Sequence, residues 1–287
     1  MSIPMQSGSL VRRIVGAPVV FAVGFVVFVY AASEWKMRRV YDVPVSELRT
    51  EFVPDAAAGE RMAKIVGCWA GCHGVRGEGD FEEIPGIRRI TAPPLGSVIP
   101  QYSDSELVRL ILHGVKRDGR SAVGMSSYVF WPVGDEDIAD IIHFLRSQPE
   151  ADEVDRVRQI PFSSRLKLLQ GKWWLSADQI DKSQPRWGNL PRRNAYERGR
   201  YIASIVCAEC HGADFRGDPL EGGPPLTILS IYDETEFSRL MTTAVSQAGV
   251  LVEPMSWLPN AELTAQDAAD LYEFLTHELL RGPAPKS

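Results

Sequence analysis

The sequence predicts an all-α protein with one N-terminal transmembrane helix and two tandem domains of the same build. Three observations support this fold class: an uncharged apolar stretch near the N-terminus, a cysteine and histidine motif that occurs twice, and the same order of helices and loops around each copy. A chain of 287 residues is long enough for two ordinary domains. We place the anchor, the first domain, the linker and the second domain at residues 1–40, 41–149, 150–193 and 194–287.

The composition is that of a globular protein, with 45% hydrophobic and 24% charged residues. The net charge of -6 gives no basic surface, which argues against a nucleic-acid partner. All 4 cysteines lie in the two repeated motifs. None is therefore left for a further structural disulfide, a thiolate ligand elsewhere or a catalytic nucleophile.

Residues 14–32 contain no charged side chain, and their length is close to what the hydrocarbon core of a bilayer requires. The flanking basic residues are Arg12 and Arg13 before the stretch, and Lys36, Arg38 and Arg39 after it. Because both sides are basic, charge alone leaves the orientation open. A cleavable signal peptide ending at Ala31 is the alternative. The apolar stretch is longer than most signal cores, which favours a retained anchor.

The residues Cys207-Ala208-Glu209-Cys210-His211 form a C-x-x-C-H motif. In this motif the two thiols add to the vinyl groups of a haem, and the adjoining histidine is an axial iron ligand. Cys68, Cys72 and His73 form a second copy with one more residue between the cysteines. The sequence therefore predicts two covalently bound haem c groups.

Other chemistry must be weighed for these six side chains. Structural zinc also uses cysteine and histidine, but an immediate Cys-His neighbour is awkward for one tetrahedral ion. A disulfide within each pair would suit an oxidising compartment, yet it would leave the adjoining histidine unexplained. The longer first spacing leaves open whether both Cys68 and Cys72 form thioethers.

After each motif the chain is rich in Gly and Pro and reaches a Pro-Pro-Leu tripeptide, which begins at Pro93 and at Pro224. A ligating histidine needs its other ring nitrogen tied to a fixed acceptor, and a carbonyl in a rigid loop suits this role. Pro93 and Pro224 are thus the candidate partners of the two histidines. The alternative is that these prolines only stiffen the loop.

Helices are predicted next in both halves. Residues 103–106 and 233–236 have the form of capping boxes, which open helices. Apolar residues then recur at helical spacing over 138–145 and over 268–275, which predicts a closing helix for each domain. We expect each closing helix to cross the first helix of its own domain.

Met125 and Met255 lie in polar loops just before the two closing helices. A thioether opposite histidine is the ligand set that raises the potential of a carrier cytochrome, so both are candidate axial ligands of haem iron. Met62 and Met241 lie in predicted helices and are expected in the core.

The linker is rich in aromatic and proline residues, which are Pro161, Phe162, Trp173, Trp174, Pro185 and Trp187. So many aromatic side chains are not expected to hang free in water. The linker should lie along one or both domains, or form part of a partner interface.

Further residues carry a family resemblance. These are His113-Gly114-Val115 with Asp118-Gly119-Arg120 and Met125, Asp137-Ile138-Ala139-Asp140 before Phe144-Leu145-Arg146-Ser147, Pro161-Phe162 with Arg165 and Trp173 to Leu175, and Arg198-Gly199 with Tyr201. With the two motifs, the chain resembles the class I cytochrome c fold taken twice, as in membrane-associated dihaem and trihaem subunits of periplasmic dehydrogenases. It departs from them in the stretched motif at Cys68, the missing third haem domain and the N-terminal anchor.

The resemblance implies that His113 makes a hydrogen bond near the haem rather than binding iron. His143 and His277 are expected to be solvated on the closing helices. Because c-type haem is attached on the outer side of the bacterial inner membrane, both haem domains are expected in the periplasm, behind a single-pass N-terminal anchor.

The expected function is transfer of single electrons rather than catalysis by this chain alone. The donor would be a quinol-oxidising complex or a periplasmic dehydrogenase, and the acceptor a terminal oxidase or another cytochrome. The partners would be redox proteins of the membrane or periplasm, and the chain could be one subunit of a multiprotein complex. The alternatives are a dihaem peroxidase or thiosulfate-oxidising enzyme, and a structural haem subunit of a larger respiratory or photosynthetic complex.

Overall fold

The computed structural model describes residues 7–45, 48, 53–69, 71–84, 87–150, 160–173, 175–217, 222–256 and 258–280. Its helices, in chain order, are α1 (Ser7–Met37), α2 (Ala56–Ile65), α3 (Leu95–Val98), α4 (Asp104–His113), α5 (Ser127–Phe130), α6 (Asp135–Ser147), α7 (Phe162–Leu169), α8 (Ala195–Val206), α9 (Ala208–His211), α10 (Glu234–Thr243), α11 (Leu258–Ala261) and α12 (Ala265–Leu280). Short 3-10 turns lie at Ile99–Gln101, Ser176–Asp178, Trp187–Asn189, Leu226–Ile231 and Glu253–Met255. Ala70 of the first motif and Trp174 of the linker lie outside the described residues, and so does Trp257.

The chain is mostly helical, as predicted, and a two-stranded hairpin that the sequence did not predict follows the first motif. Strand β1 (Asp80–Ile84) pairs antiparallel with β2 (Ile87–Ala92), with an irregularity in register after Asp80. The segment carries Phe, Ile and Thr residues that favour extended backbone. Gly and Pro flank it, and for that reason a loop was expected there.

Two helical units share the order of their first, middle, short and closing helices, residues 55–148 (the first unit, which also contains the hairpin) and residues 194–280 (the second unit). In each, the closing helix crosses the first helix, as predicted, and the structure places a glycine at the crossing. A Cβ on Gly59 would lie 2.0 Å from the Asp140 carbonyl oxygen, and one on Gly199 would lie 1.9 Å from that of Asp270. The crossings bring two backbones together at a distance that only glycine permits.

The predicted capping boxes open the middle helix of both units. At the start of α4 the Ser103 side chain accepts from the Glu106 N–H, and the Glu106 side chain accepts from the Ser103 N–H. Asp233 and Glu236 form the same pair of hydrogen bonds at the start of α10. This reciprocal pairing fixes the first turn, which would otherwise leave its N–H groups unpaired. The two helices therefore start at equivalent places in the repeat.

The two units contact each other through a reciprocal pair of interactions. The Tyr201 hydroxyl in α8 donates to Asp137 Oδ2 in α6 at 2.7 Å, and Arg61 in α2 donates to Asp267 Oδ2 in α12 at 2.5 Å. Each donor lies two positions after the crossing glycine of its unit, and each acceptor opens the closing helix of the other unit. The interface therefore has approximate two-fold symmetry, and α5 and α11 each contact the first helix of the opposite unit.

The parts of the linker that the structure describes, residues 160–173 and 175–193, lie along the rest of the chain, as predicted. The Ser176 N–H donates to the Ala122 carbonyl at 3.2 Å, and Trp131 Nε1 donates to the Gln184 carbonyl at 2.8 Å. Leu175 is fully buried. At the N-terminal end of this linker, which is also called the connector below, α7 packs against α1.

Residues Pro18–Met37 of α1 are long and apolar enough to cross a membrane. The outward face is strongly exposed, for example at Val20 and Phe21. Two residues are buried, Val29 and Ser33, on the side where α7 packs. By length and composition α1 is a candidate single-pass anchor.

Candidate functional site

In the second unit the motif continues the first helix. The Cys207 N–H donates to the Ala203 carbonyl, and the His211 N–H donates to the Cys207 carbonyl, both at 2.9 Å. Because residues three and four apart share one face of a helix, Cys207, Cys210 and His211 are presented on the same side. The C-x-x-C-H spacing thus corresponds to one helical turn.

In the first unit the extra residues form a small loop instead. Helix α2 ends at Ile65, and Gly67 turns the chain with a φ of 70°. The Trp69 N–H then donates to the Ala63 carbonyl at 3.0 Å. The equivalent bond in the second unit runs from the Cys207 N–H to the Ala203 carbonyl. The Cys72 N–H donates to the Gly67 carbonyl at 2.9 Å. Trp69 takes the backbone place of a cysteine, and Cys68 is displaced into the loop.

Each motif histidine is held by the proline carbonyl that the sequence predicts. His73 Nδ1 lies 2.8 Å from the Pro93 oxygen, and His211 Nδ1 lies 2.7 Å from the Pro224 oxygen. A carbonyl only accepts, so Nδ1 carries the proton and Nε2 keeps its lone pair. Burial lowers the pKa of His73, which also favours the neutral ring. Both imidazoles are thus prepared as metal ligands through Nε2, and that role itself stays a prediction.

The four thiols are unbridged. Burial raises the pKa of both Cys68 and Cys207 to about 12. Within the described residues no three His, Cys, Asp or Glu side chains gather as a metal cluster. Neither the zinc nor the disulfide alternative is supported by this geometry.

The two motifs lie near each other across the interface between the units. Burial raises the pKa of Cys72, and the carboxylate of Glu209, from the second motif, raises it further. A cavity of about 730 Å³ adjoins this region, with Trp131, Trp187 and Arg200 in its lining. None of the six motif cysteines and histidines lines that cavity. The two attachment motifs are therefore within electrostatic range of each other.

An aromatic ring covers the closing helix of each unit, but it comes from different positions. In the second unit Phe215 packs edge-on to Phe274 with ring centroids 5.7 Å apart. In the first, Trp69 packs edge-on to Phe144 at 5.1 Å. Phe274 and Phe144 hold equivalent places, because each faces the crossing glycine of its own unit. The first motif supplies from inside itself the ring that the second unit supplies after its histidine.

Gly77 is the residue that makes this exchange possible. Gly77 and Phe215 hold equivalent positions. The Gly77 carbonyl accepts a hydrogen bond from the Leu95 N–H, and the Phe215 carbonyl accepts one from the Leu226 N–H. The φ angles also match, 70° for Gly77 and 59° for Phe215. A Cβ on Gly77 would lie 2.4 Å from Trp69 Cζ3. Trp69 therefore fills the space that a side chain at Gly77 would need.

Met125 lies in a loop, as predicted, whereas Met255 ends the 3-10 turn Glu253–Met255, and the short helices α5 and α11 separate the two methionines from the closing helices. Both are partly buried against the hydrophobic core, which Cys68 and Trp69 also contact. Met62 and Met241 are core residues, as expected. The role of Met125 and Met255 as iron ligands stays a prediction.

The second unit offers a fitting surface for a haem. Four apolar side chains between the motif and Met255 are at least 45% exposed, and these are Ile228, Ile231, Val250 and Leu251. An apolar macrocycle would remove such surface from water. Together with two thiols and an imidazole whose Nδ1 is already bonded, the residues present match the attachment chemistry of haem c.

The remaining histidines differ from one another. His143 is exposed, as expected. His277 is not solvated as predicted, because its ring packs edge-on to Tyr196 at 5.2 Å and its Nδ1 is buried. His113 packs against Trp131 at 5.7 Å, and its Nδ1 finds no hydrogen-bond partner in the part of the chain that the structure describes.

His113 should make stability depend on pH. Burial lowers its pKa from 6.5 to about 4, and the positive charges of Lys182 and Arg186 add to this. As pH falls below 6.5, His113 is protonated in the unfolded chain before it is protonated in the folded protein. The contribution of neutral His113 to the free energy of unfolding is therefore complete above pH 6.5 and lost by about pH 4. Replacing His113→Gln should flatten the rise in stability across that window. Denaturant unfolding of both proteins at several pH values tests this, and parallel pH profiles would contradict it.

Sequence reasoning missed Trp69 and Arg165 as positioning residues. The signal for Trp69 was available, since the residue four places after the motif histidine is Gly77 in one repeat and Phe215 in the other. Arg165 was noted only as part of the family resemblance. Arg165 is separated by the whole first unit in sequence from Ser33 and Glu34, to which it donates hydrogen bonds. No local sequence pattern predicts such a contact.

Comparison with known proteins agrees with the geometry of the motifs. Residues 56–149 match the sequence profile of the family described as Cytochrome c. The chain is also 28% identical over 220 residues to a protein of Cereibacter sphaeroides named "Diheme cytochrome c-type". The alignment covers 68% of this chain and 71% of that protein. These findings support covalently bound haem c. The predicted resemblance is confirmed: the chain is similar to a dihaem c-type cytochrome, and its residues 56–149 match the cytochrome c family.

Proposed function

We propose that this protein is a membrane-anchored dihaem cytochrome that carries single electrons between redox partners. In this proposal residues 41–149 and 194–287 are two tandem class I cytochrome c domains, joined by the linker 150–193 and anchored by residues 1–40. The haem groups supply the one-electron chemistry. The work of this chain is to attach them, to fix their axial ligands and to keep water away.

Two sets of residues would hold the two haems. The first is Cys68 and Cys72 for attachment, His73 and Met125 for the iron, and Pro93 behind the histidine. The second is Cys207 and Cys210 for attachment, His211 and Met255 for the iron, and Pro224 behind the histidine. The observation that carries the proposal is the hydrogen bond from each motif histidine to its proline carbonyl, present in both units beside a pair of thiols.

The interface supports electron exchange between the two sites. Glu209 of the second motif is close enough to Cys72 of the first to raise its pKa, so the two attachment segments are neighbours. Electron transfer needs only a short path and fixed positions. A two-fold pair of contacts, Tyr201 with Asp137 and Arg61 with Asp267, would fix those positions.

The anchor and the compartment complete the proposal. We place α1 as a single-pass span in a bacterial inner membrane with both haem domains in the periplasm. The donor would be a quinol-oxidising complex or a periplasmic dehydrogenase, and the acceptor a terminal oxidase or another cytochrome. Retention of α1 is favoured because Phe25 and Tyr30, which signal cleavage after Ala31 would remove, contact Phe162 of the connector.

The first experiment is a pyridine haemochrome assay with intact mass, on protein matured in a host that assembles c-type cytochromes. Two covalent haems and a retained N-terminus are expected. One haem would show that the Cys68 site is not matured, and would leave a single-haem carrier. Peroxide or thiosulfate turnover would instead favour a dihaem enzyme.

The axial methionines have their own test. Replacing Met125 or Met255 by alanine should remove the methionine-to-iron charge-transfer absorbance of one haem and leave that of the other. A Met62→Ala variant is the matched control, since Met62 is a core residue and should leave both bands in place. If each axial substitution leaves the band intact, the methionine assignment is wrong.

A further inference from the structure

The connector helix α7 runs alongside the end of α1 in the same direction. The ring of Phe162 lies 6.3 Å from the ring of Phe25 and 6.3 Å from that of Tyr30. At its other end, the Leu168 carbonyl accepts a hydrogen bond from Lys36 Nζ at 3.3 Å. The N-terminus of α7 therefore faces the apolar part of α1, and its C-terminus faces the charged part.

The depth of α7 follows from the geometry of α1. Glu34 is the first charged residue after the apolar stretch and marks the level at which water begins. At about 1.5 Å per residue, Tyr30 lies about 6 Å and Phe25 about 13 Å below Glu34 along the helix axis. The Phe162 ring contacts both, so it lies within the same range of depth. If α1 spans a bilayer upright, that range is hydrocarbon.

We infer that α7 is inserted into the bilayer beside α1, with Phe162 among the lipid chains and Leu169 at the headgroups. The inference rests on the proposed function, because it takes α1 as the membrane anchor. The partner of this surface is the lipid bilayer itself, and the chain then meets the membrane at two places, α1 and the connector.

Arg165 would otherwise oppose this placement, because a charged group in low dielectric must be paired. Its guanidinium donates to Ser33 Oγ at 2.9 Å, to Glu34 Oε2 at 3.3 Å and to the Ile160 carbonyl at 3.3 Å. It also lies over the Tyr30 ring at 4.7 Å, and its side chain is only 13% exposed. Residues of α1 and the Ile160 carbonyl therefore provide Arg165 with a charged partner, two neutral acceptors and an aromatic face within the protein.

The exposed residues near the other end of α7 suit the headgroup region. Lys167 and Lys172 are exposed, and so are Trp35 and Arg38 at the end of α1. Lysine and arginine reach toward headgroups with their charged ends, and tryptophan favours the membrane interface. These four side chains therefore complement the polar boundary of a bilayer.

The test uses the full-length holoprotein in phosphatidylcholine nanodiscs and three single cysteine variants, Ser163→Cys in α7, Val27→Cys in α1 and Ser183→Cys in the connector turn. All three side chains are exposed on the protein itself, so only lipid can shield them. The protein without an added cysteine is labelled in parallel, which gives the background from any native thiol that does not hold haem. The rate of modification by a charged, membrane-impermeant maleimide is the readout, and haem absorbance confirms folding.

Modification of Cys at positions 163 and 27 is expected to be at least roughly tenfold slower than at 183, because water is excluded from hydrocarbon. If position 27 is shielded and 163 reacts as fast as 183, the inference is overturned while the anchor stands. If position 27 also reacts fast, α1 does not span the bilayer, and both the anchor and the inference fail.

Discussion

Replacing Gly199 by alanine is expected to destabilise the second unit by about 3 kcal/mol or more, at the upper end of the cost of overpacking. The new Cβ would lie 1.9 Å from the Asp270 carbonyl oxygen and 2.8 Å from Phe274 Cβ. The nearest atom belongs to the backbone of α12, so no side-chain rotation relieves the clash. The two helices must separate, and the core between them opens.

Denaturant unfolding of the holoprotein, followed by circular dichroism and by haem absorbance, measures this effect. Gly59→Ala should behave in the same way in the first unit, since its Cβ would lie 2.0 Å from the Asp140 carbonyl oxygen. Gly24→Ala is the matched control, because it adds the same atom to a helix with nothing within 4 Å. A Gly199→Ala protein as stable as the Gly24→Ala protein would show that the helices do not cross as described.

Local sequence patterns predicted those parts of the fold that local interactions determine. The capping residues Ser103 and Asp233 each bond to a backbone group three residues away, so their spacing alone was informative. The partners of the histidines lie farther off, 20 residues after His73 and 13 after His211, and they were found because Pro93 and Pro224 begin a tripeptide that both repeats place after the motif.

The contacts between the units could not be predicted in this way. The two acids, Asp137 and Asp267, repeat in sequence, but their donors are Tyr201 in one unit and Arg61 in the other. A comparison of the repeats shows two unrelated residue types at that position. Only the approximate two-fold arrangement makes them equivalent. The hairpin β1–β2 was missed for a similar reason, because glycine and proline around it indicate a loop and say nothing of pairing.

The stretched first motif gives the second large effect. Trp69→Ala should cost about 3 kcal/mol, the lower end of the range for deleting a packed aromatic ring, because Trp69 is only partly buried. It also frees the loop that carries Cys68 and Cys72. We therefore expect a lower yield of the first haem, seen as a haem-to-protein ratio that falls from two toward one in the haemochrome assay.

Gly77→Phe alone should be at least as damaging. Its Cβ would lie 2.4 Å from the Trp69 ring, and both rings would need the space beside Phe144. The left-handed backbone at Gly77 is not the main obstacle, since Phe215 adopts it in the second unit with a φ of 59°. The conflict is between two side chains, and removal of either one should relieve it.

The double variant Trp69→Ala/Gly77→Phe therefore tests whether a ring at position 77 can replace the packing of Trp69. It gives the first unit the arrangement of the second, with a phenylalanine after the histidine covering the closing helix as Phe215 covers Phe274. The two substitutions should cost less together than the sum of their separate effects, by about 1–3 kcal/mol for residues in direct contact. Trp69→Ala/Gly77→Ala is the control without a ring. If the two double variants are equally unstable, the ring at position 77 does not replace Trp69, and the longer motif needs another explanation.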